Sequence, residues 1–154
     1  MYLYLDRGGY MLLIRYSNET DLADITSLIS ELGYETTENE VTSRLFKLNS
    51  NPDYHTLVAE IDNQVVGLLG LHIGLAYEFS GCYGRIICLV VDQQYRKNGI
   101  GKQLMVRAKE IVIEQGGSAI ILNSGTRTER KDAHEFYINN GFTAKSTGFV
   151  MRFS

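Results

Sequence analysis

Residues 96–102 read Arg-Lys-Asn-Gly-Ile-Gly-Lys, three cations and two glycines within seven positions. This is the material of an anion site. Arg96, Lys97 and Lys102 supply full positive charge, and Gly99 and Gly101 let a ligand approach the backbone with no Cβ in the way. An apolar run, residues 86–91, comes first; Asp92-Gln93-Gln94-Tyr95 breaks it, and a helical pattern follows the turn. Strand, basic turn and helix together aim backbone N–H groups at a phosphate. The first turn of a helix has N–H groups without intrahelical partners, and the helix dipole puts partial positive charge there. The plain alternative is a solvated basic turn with glycine at a helix start.

Three phosphate motifs compete for this turn. A dinucleotide fingerprint needs a third glycine three residues beyond Gly101, where the chain has Leu104. A P-loop needs glycine at position 96 and Ser or Thr at 103, and the chain has Arg96 and Gln103. The pattern R/Q-x-x-G-x-G/A remains, and residues 96–101 fit it.

Composition limits the setting for that turn. The 154 residues are enough for one domain with a real core, and 44% hydrophobic residues is ordinary for a globular protein. The net charge of −3 provides no basic surplus to drive counterion release, which argues against nucleic acid as the partner. Cys82 and Cys88 are too few for a disulfide framework or a zinc site, and no metal is expected. No apolar run approaches the length of a membrane span, and residues 1–10 lack the basic start and apolar stretch of a secretory signal. These features predict a cytoplasmic protein without a membrane partner. The regular pattern begins at Met11, so residues 1–10 read as an N-terminal extension and residues 11–154 as a single domain.

The elements that must position the turn follow from periodicity. Residues 12–15 read as a first strand. Asn18 or Thr20 can cap a helix carrying Leu22, Ile25, Leu28, Ile29 and Leu32, stopped by Gly33. A weaker helix spans residues 38–48. Strands at 54–60 and 65–75 flank an Asp62-Asn63 turn and make a hairpin. The run at 86–91 is so continuously apolar that it predicts a central strand covered on both faces. Ile100, Leu104, Ala108, Ile111 and Val112 form the stripe of a third helix, ended by Gly116-Gly117. Residues 119–122 read as a buried strand. A fourth helix starts at Lys131 or Asp132 and closes at Gly141, and residues 142–145 and 149–153 read as a last hairpin. The sum is an α/β, mixed sheet of about seven strands flanked by about four helices.

The fourth helix carries a second constellation, Ala133-His134-Glu135-Phe136-Tyr137 running on to Gly141-Phe142. It is similar to the A-x-x-F-Y-x-x-x-G-F pattern of the GNAT superfamily of acetyl-CoA-dependent N-acetyltransferases. The turn at 96–101 likewise resembles that superfamily's pyrophosphate loop. Tyr54-His55, residues 65–72 and residues 130–137 look like the aminoalkylphosphonate N-acetyltransferase subgroup, whose members acetylate small primary amines bearing an anionic group.

The resemblance implies the GNAT fold, with a central strand splayed from its neighbour to admit the pantetheine arm of acetyl-CoA. Splaying leaves strand N–H and C=O groups in need of partners, which an amide-bearing arm can supply. Mapped onto this chain, Leu89, Val90 and Val91 would meet that arm, and the Leu89 N–H would polarise the thioester carbonyl. Arg96, Lys97, Asn98, Gly99, Ile100, Gly101 and Lys102 would hold the pyrophosphate. Asn123, Arg130, Ala133, Phe136 and Tyr137 would complete the cofactor contacts. Tyr137 would act as general acid: a phenol with a pKa of about 10 stays protonated while a thiol titrates at about 8.5. Many relatives carry a glutamate base on the splayed strand, but residues 85–89 read Arg-Ile-Ile-Cys-Leu. The base role then falls to Glu78, His72 or a water chain. Phe136 reads as core packing, Asp132 as a cap, His72 equally as a core histidine, and His55 has no evident partner. Arg85, Arg127 or Arg130 could meet an anionic acceptor.

The acceptor implied is a small-molecule primary amine, attacked directly in a ternary complex. A peptide or protein amine, a polyamine or an antibiotic amine is the alternative within the enzyme class. A coenzyme A-binding sensor without turnover is the alternative outside it. A homodimer fits either.

Overall fold

A computed structural model describes residues 2–5, 8–125 and 130–153. The elements are β1 (Tyr2–Leu5), β2 (Met11–Tyr16), α1 (Leu22–Glu31), α2 (Glu38–Asn49), β3 (Tyr54–Ile61), β4 (Gln64–Leu75), β5 (Cys82–Val91), α3 (Ile100–Glu114), β6 (Ile120–Leu122) and α4 (Lys131–Asn139). The chain divides into two compact units, Met1–Ile121 and Leu122–Ser154.

The strands form one six-stranded sheet in the order β1 to β6, and β1 through β5 pair antiparallel in succession. Alternation sends successive side chains to opposite faces. On one face Val58, Leu68 and Val90 pack against Ile25, Leu28 and Val41 of α1 and α2. On the other, α3 lies so close that a Cβ on Gly67 would come within 3.1 Å of Leu104 and 3.2 Å of Ile100. A Cβ on Gly84 would collide with Val112. Glycine at these two positions sets how tightly the helix seats.

The helix starts follow their caps. The Thr37 hydroxyl accepts from the Glu40 N–H, and the Glu40 carboxylate accepts from the Thr37 N–H, a reciprocal box at the start of α2. Asn18 opens a short 3-10 turn (Glu19–Asp21) that leads into α1. Asp21 is buried there against Arg15, which also donates to Glu60 at 2.7 Å.

Several expectations change. Residues 1–10 contribute β1, which pairs with β2 from Tyr2↔Ile14 to Leu5↔Met11. The expected hairpin at 142–145 and 149–153 is not formed: residues 142–153 carry no strand. Alternation favours a strand there, but a strand also needs a ladder, and the described residues form none with it. Residues 86–91 are not covered on both faces, because Ile87 is 46% exposed and Leu89 and Val91 are half-buried. The cause is a bulge: Cys88 pairs with Gly70 and Ile86 with Leu71, leaving Ile87 as the extra residue. Strand β5 also begins earlier than expected, at Cys82. The strand at 119–122 is only partly buried, with Ile121 40% exposed.

Candidate active site

The turn after β5 is built by short local bonds. The Asp92 carboxylate accepts from the Gln94 N–H at 2.9 Å, and the Tyr95 N–H donates to the Asp92 carbonyl at 2.9 Å. Asn98 Nδ2 donates to the Tyr95 carbonyl at 3.2 Å. The chain then passes through two left-handed residues, Lys97 at φ 66° and Gly99 at φ 85°. Gly99 is the N-cap of α3 and offers no side chain to its N–H groups. The space a Cβ on Gly99 would occupy is open. Ile100 is 1% exposed and anchors the helix, while Lys97 and Lys102 are exposed and Gly101 is partly so. The result is a helix N-terminus with cations at its rim, which suits a diphosphate.

Arg96 also makes contacts within the protein. Its Nε donates to the Val91 carbonyl at 3.0 Å, and its guanidinium lies 3.9 Å from the Glu31 carboxylate. It ties the turn to the end of β5, and this bond occupies the Val91 carbonyl.

The parity of β5 follows from one bond. The Asp92 N–H donates to the Val66 carbonyl at 2.8 Å. Backbone groups alternate along an antiparallel ladder, so Val90 and Cys88 also face β4, while Leu89 and Val91 turn their N–H and C=O groups away. On that far side, β5 has ten residues and β6 three. The Gly84 N–H donates to the Ala119 carbonyl at 2.9 Å, next to the start of β5. Leu89 and Val91 lie at its other end.

An open cleft of about 690 Å³ lies on the α1/α2 side of the sheet, lined by Ile29, Leu32, Gly33, Tyr34, Glu35, Arg44, Ile87 and Cys88. The bulge therefore presents Ile87 and Cys88 to a hollow whose charged walls are Glu35 and Arg44. Arg44 donates to the Thr36 hydroxyl at 3.1 Å. Glu35 also lines an adjoining hollow of about 440 Å³ with Ser30, Thr36, Thr37 and Glu40. Burial pushes the Cys88 thiol up to about 11, so it meets the cleft as a neutral group. The sequence reading missed Glu35 and Arg44. Glu35 lies in the loop between α1 and α2 and Arg44 within α2, and no spacing signature marks either.

His72 pairs in register with Tyr54 and Arg85, and its ring lies over Tyr54 at 4.5 Å between centroids. It shares a sheet face with Gly70, two positions from the bulge, but does not line the cleft. Glu78 is exposed in the connection between β4 and β5 and does not line it either. His55 does have a partner: its Nδ1 shares a hydrogen bond with the Tyr16 hydroxyl at 2.9 Å. Its Nε2 is buried without one, and burial, then the nearby Arg107, lower its pKa.

In the second unit, Phe136 and Tyr137 are half-buried, with ring centroids 5.5 Å apart, and Tyr137 lies edge-on to Phe142 at 5.8 Å. No residue of α4 is fully buried, so neither ring fills a core there. His134 Nε2 donates to the Gly125 carbonyl at 2.6 Å, fastening α4 to the segment that follows β6. Ala133 and Arg130 are part-buried and Asn123 is exposed. Arg127 lies outside the described residues. Among those residues no cluster of His, Cys, Asp and Glu could hold a metal, and no helix is long and apolar enough to cross a membrane.

A model of the acetyltransferase (GNAT) family matches residues 21–142. The aminoalkylphosphonate N-acetyltransferase of Salmonella typhimurium is 29% identical over 130 residues, covering 84% of this chain and 83% of that protein. The thialysine N-epsilon-acetyltransferase of Mus musculus is 32% identical over 118 residues, covering 68% of this chain and 69% of that protein. The crystal structure of a GNAT family acetyltransferase from Staphylococcus aureus superposes with a TM-score of 0.80 at 30% identity, covering 92% of this chain and 98% of that one.

Proposed function

This chain belongs to the GNAT acetyltransferase family, and on that premise we propose that it transfers the acetyl group of acetyl-CoA to a small-molecule primary amine in a ternary complex. One observation carries the reading. The outward-turned backbone of Leu89 and Val91 is followed, after the turn at 92–99, by a helix N-terminus that has no side-chain cap. A pantetheine amide needs the first and a diphosphate needs the second, and both belong to a single molecule.

The chain's own groups then divide the work. The N–H groups at the start of α3, with Lys97 and Lys102, hold the diphosphate. The Leu89 N–H points away from β4 and donates to the thioester carbonyl oxygen as charge develops on it. The Val91 N–H serves the arm, since its carbonyl is held by Arg96. The acceptor amine lies in the cleft over Ile87 and Cys88. Glu35 joins His72 and Glu78 as a candidate to take the amine proton, and it is the one of the three that lines the cleft. The Tyr137 phenol supplies a proton to the departing thiolate. Arg44 gives the cleft a cation that suits an acceptor with an anionic group, as in the substrate class named for the Salmonella relative.

The experiment is thiol release from acetyl-CoA with a panel of amines: aminoalkylphosphonates, amino acids, polyamines, aminoglycosides and a peptide N-terminus. Release with small anionic amines is the expected result. Faster release with a peptide, a polyamine or an aminoglycoside would reassign the acceptor. Tight coenzyme A binding with no release from any amine would make the chain a sensor module.

A further inference from the structure

On the α1/α2 face of the sheet, strand β4 presents Gly70, His72 and Gly74 at alternate positions. The two glycines admit side chains from β5. A Cβ on Gly70 would stand 3.1 Å from Ile87 Cγ1, and one on Gly74 would stand 2.8 Å from Tyr83 Cζ, so Ile87 and Tyr83 lie against β4 on either side of His72. Between them a polar row crosses three strands: Tyr54 on β3, His72 on β4 and Arg85 on β5. All three residues are part-buried, and the His72 ring lies over that of Tyr54. Among the described residues, the Arg85 guanidinium has neither a carboxylate nor a hydrogen-bond partner, and the Tyr54 hydroxyl and the His72 ring nitrogens are also unbonded. Arg15 and Arg107, which are part-buried too, each hold two carboxylates. A guanidinium drawn partly out of water with no counter-charge is a site that an incoming anion completes.

Given acetyl transfer to a small amine, on which this inference rests, we propose that Arg85, with His72 and Tyr54 beside it, holds the anionic group of the acceptor. The row is the next one along the sheet from the cleft floor. Gly70 pairs with Cys88, and His72, two positions on, pairs with Arg85, a step of about 7 Å. An amine over Ile87 and Cys88 and an anion at Arg85 are then separated by the reach of a few carbons. The guanidinium fork matches a phosphonate or a carboxylate, and the Tyr54 hydroxyl has a proton to add to it. Arg44 is the weaker holder. It is exposed and already donates to the Thr36 hydroxyl at 3.1 Å, which places it at the rim of the cleft.

The first arm of the test needs no turnover. Propylphosphonate, which carries the anion and no amine, is titrated into the full chain by calorimetry in the presence of coenzyme A. The protein should bind it, and Arg85→Gln should weaken that binding about tenfold or more while keeping its affinity for coenzyme A. Arg85→Lys keeps the charge without the fork and should fall between the two. The second arm is thiol release with aminopropylphosphonate and with propylamine. The kcat/KM preference for the anionic amine should fall about tenfold or more in Arg85→Gln, through KM rather than kcat, and only slightly in Arg44→Gln. No binding of propylphosphonate, equal binding by Arg85→Gln, or a preference lost in Arg44→Gln instead would overturn the proposal. So would an Arg85→Gln defect in coenzyme A binding that vanishes with dephospho-coenzyme A, which would assign Arg85 to a cofactor phosphate. Arg85-dependent binding of propylphosphonate with no thiol release from either amine would leave the anion slot standing and remove the transfer reading.

Discussion

Across the β4–β5 ladder, Gly70 faces the bulged Ile87 with no room between them. A Cβ at Gly70 would stand 3.1 Å from Ile87 Cγ1 and 3.4 Å from the Cys88 Cβ. Ile87 is 46% exposed and free to shift outward, so a larger residue at 70 displaces the cleft floor without breaking the core. Gly70→Val should cost about 1 kcal/mol of stability, the low end for overpacking. It should raise the KM for the amine several-fold and leave that for acetyl-CoA unchanged. Steady-state kinetics with each substrate varied, alongside thermal unfolding, checks this. An unaltered amine KM would mean the cleft is not the acceptor site.

Gly99 tests the anion end of the same strand-turn-helix unit. Its φ of 85° is one that a Cβ penalises, although the space around it is open. Gly99→Ala should therefore cost about 1–2 kcal/mol through backbone strain alone. Relaxing that strain rotates the first N–H groups of α3 away from the ligand. Coenzyme A affinity measured by calorimetry should fall about tenfold or more. Unchanged affinity would place the diphosphate elsewhere.

Asp21 governs acid stability. Burial acts to raise its pKa, but the Arg15 guanidinium, the Asn18 N–H and the Arg15 charge together outweigh it and hold the carboxyl below its usual range. Both Arg15–Asp21 hydrogen bonds are 2.8 Å, and the Asp21 side chain is 4% exposed. A depressed carboxylate pKa contributes stability that is complete above the unfolded value of about 3.9 and is lost as pH falls through the folded value. Asp21→Asn should remove roughly 3 kcal/mol at neutral pH, because it leaves Arg15 part-paired. It should also flatten the loss of stability below about pH 4. Denaturant unfolding at several pH values reads both effects, and a parallel shift of the whole pH curve would exclude Asp21 as the titrating group.

What could be read from residues alone was what is local. The turn at 96–102 is legible because its charges, its glycines and the helix it starts lie within a few positions of one another. The bulge at Ile87 is not, because it arises from how β5 registers against Gly70, seventeen positions earlier. The apolar run at 86–91 predicted double coverage for the same reason: composition cannot show that one residue is extra. Glu35 and Arg44 became neighbours of Ile87 only once α1 and α2 had folded onto the sheet. Arg15, Asp21 and Glu60 form a network across 45 positions with no spacing signature. Residues 149–153 have the alternation of a strand, but alternation names a preference and does not supply a ladder.

The role of Tyr137 rests on chemistry more than on place. A thiolate leaving group requires a proton or a strong hydrogen bond, and a phenol offers either at neutral pH because it ionises about 1.5 units above a thiol. Its ring is held edge-on by Phe136 and Phe142, contacts that phenylalanine keeps. Tyr137→Phe should therefore fold and still bind coenzyme A. Turnover in the thiol-release assay should fall about a hundredfold or more, the low end for losing a general acid. The high-pH limb of the rate profile should disappear with it, since that limb reports ionisation of the acid. Retained turnover would remove Tyr137 from proton transfer, and a lost limb with little loss of rate would reduce it to a hydrogen-bonding role at the sulfur.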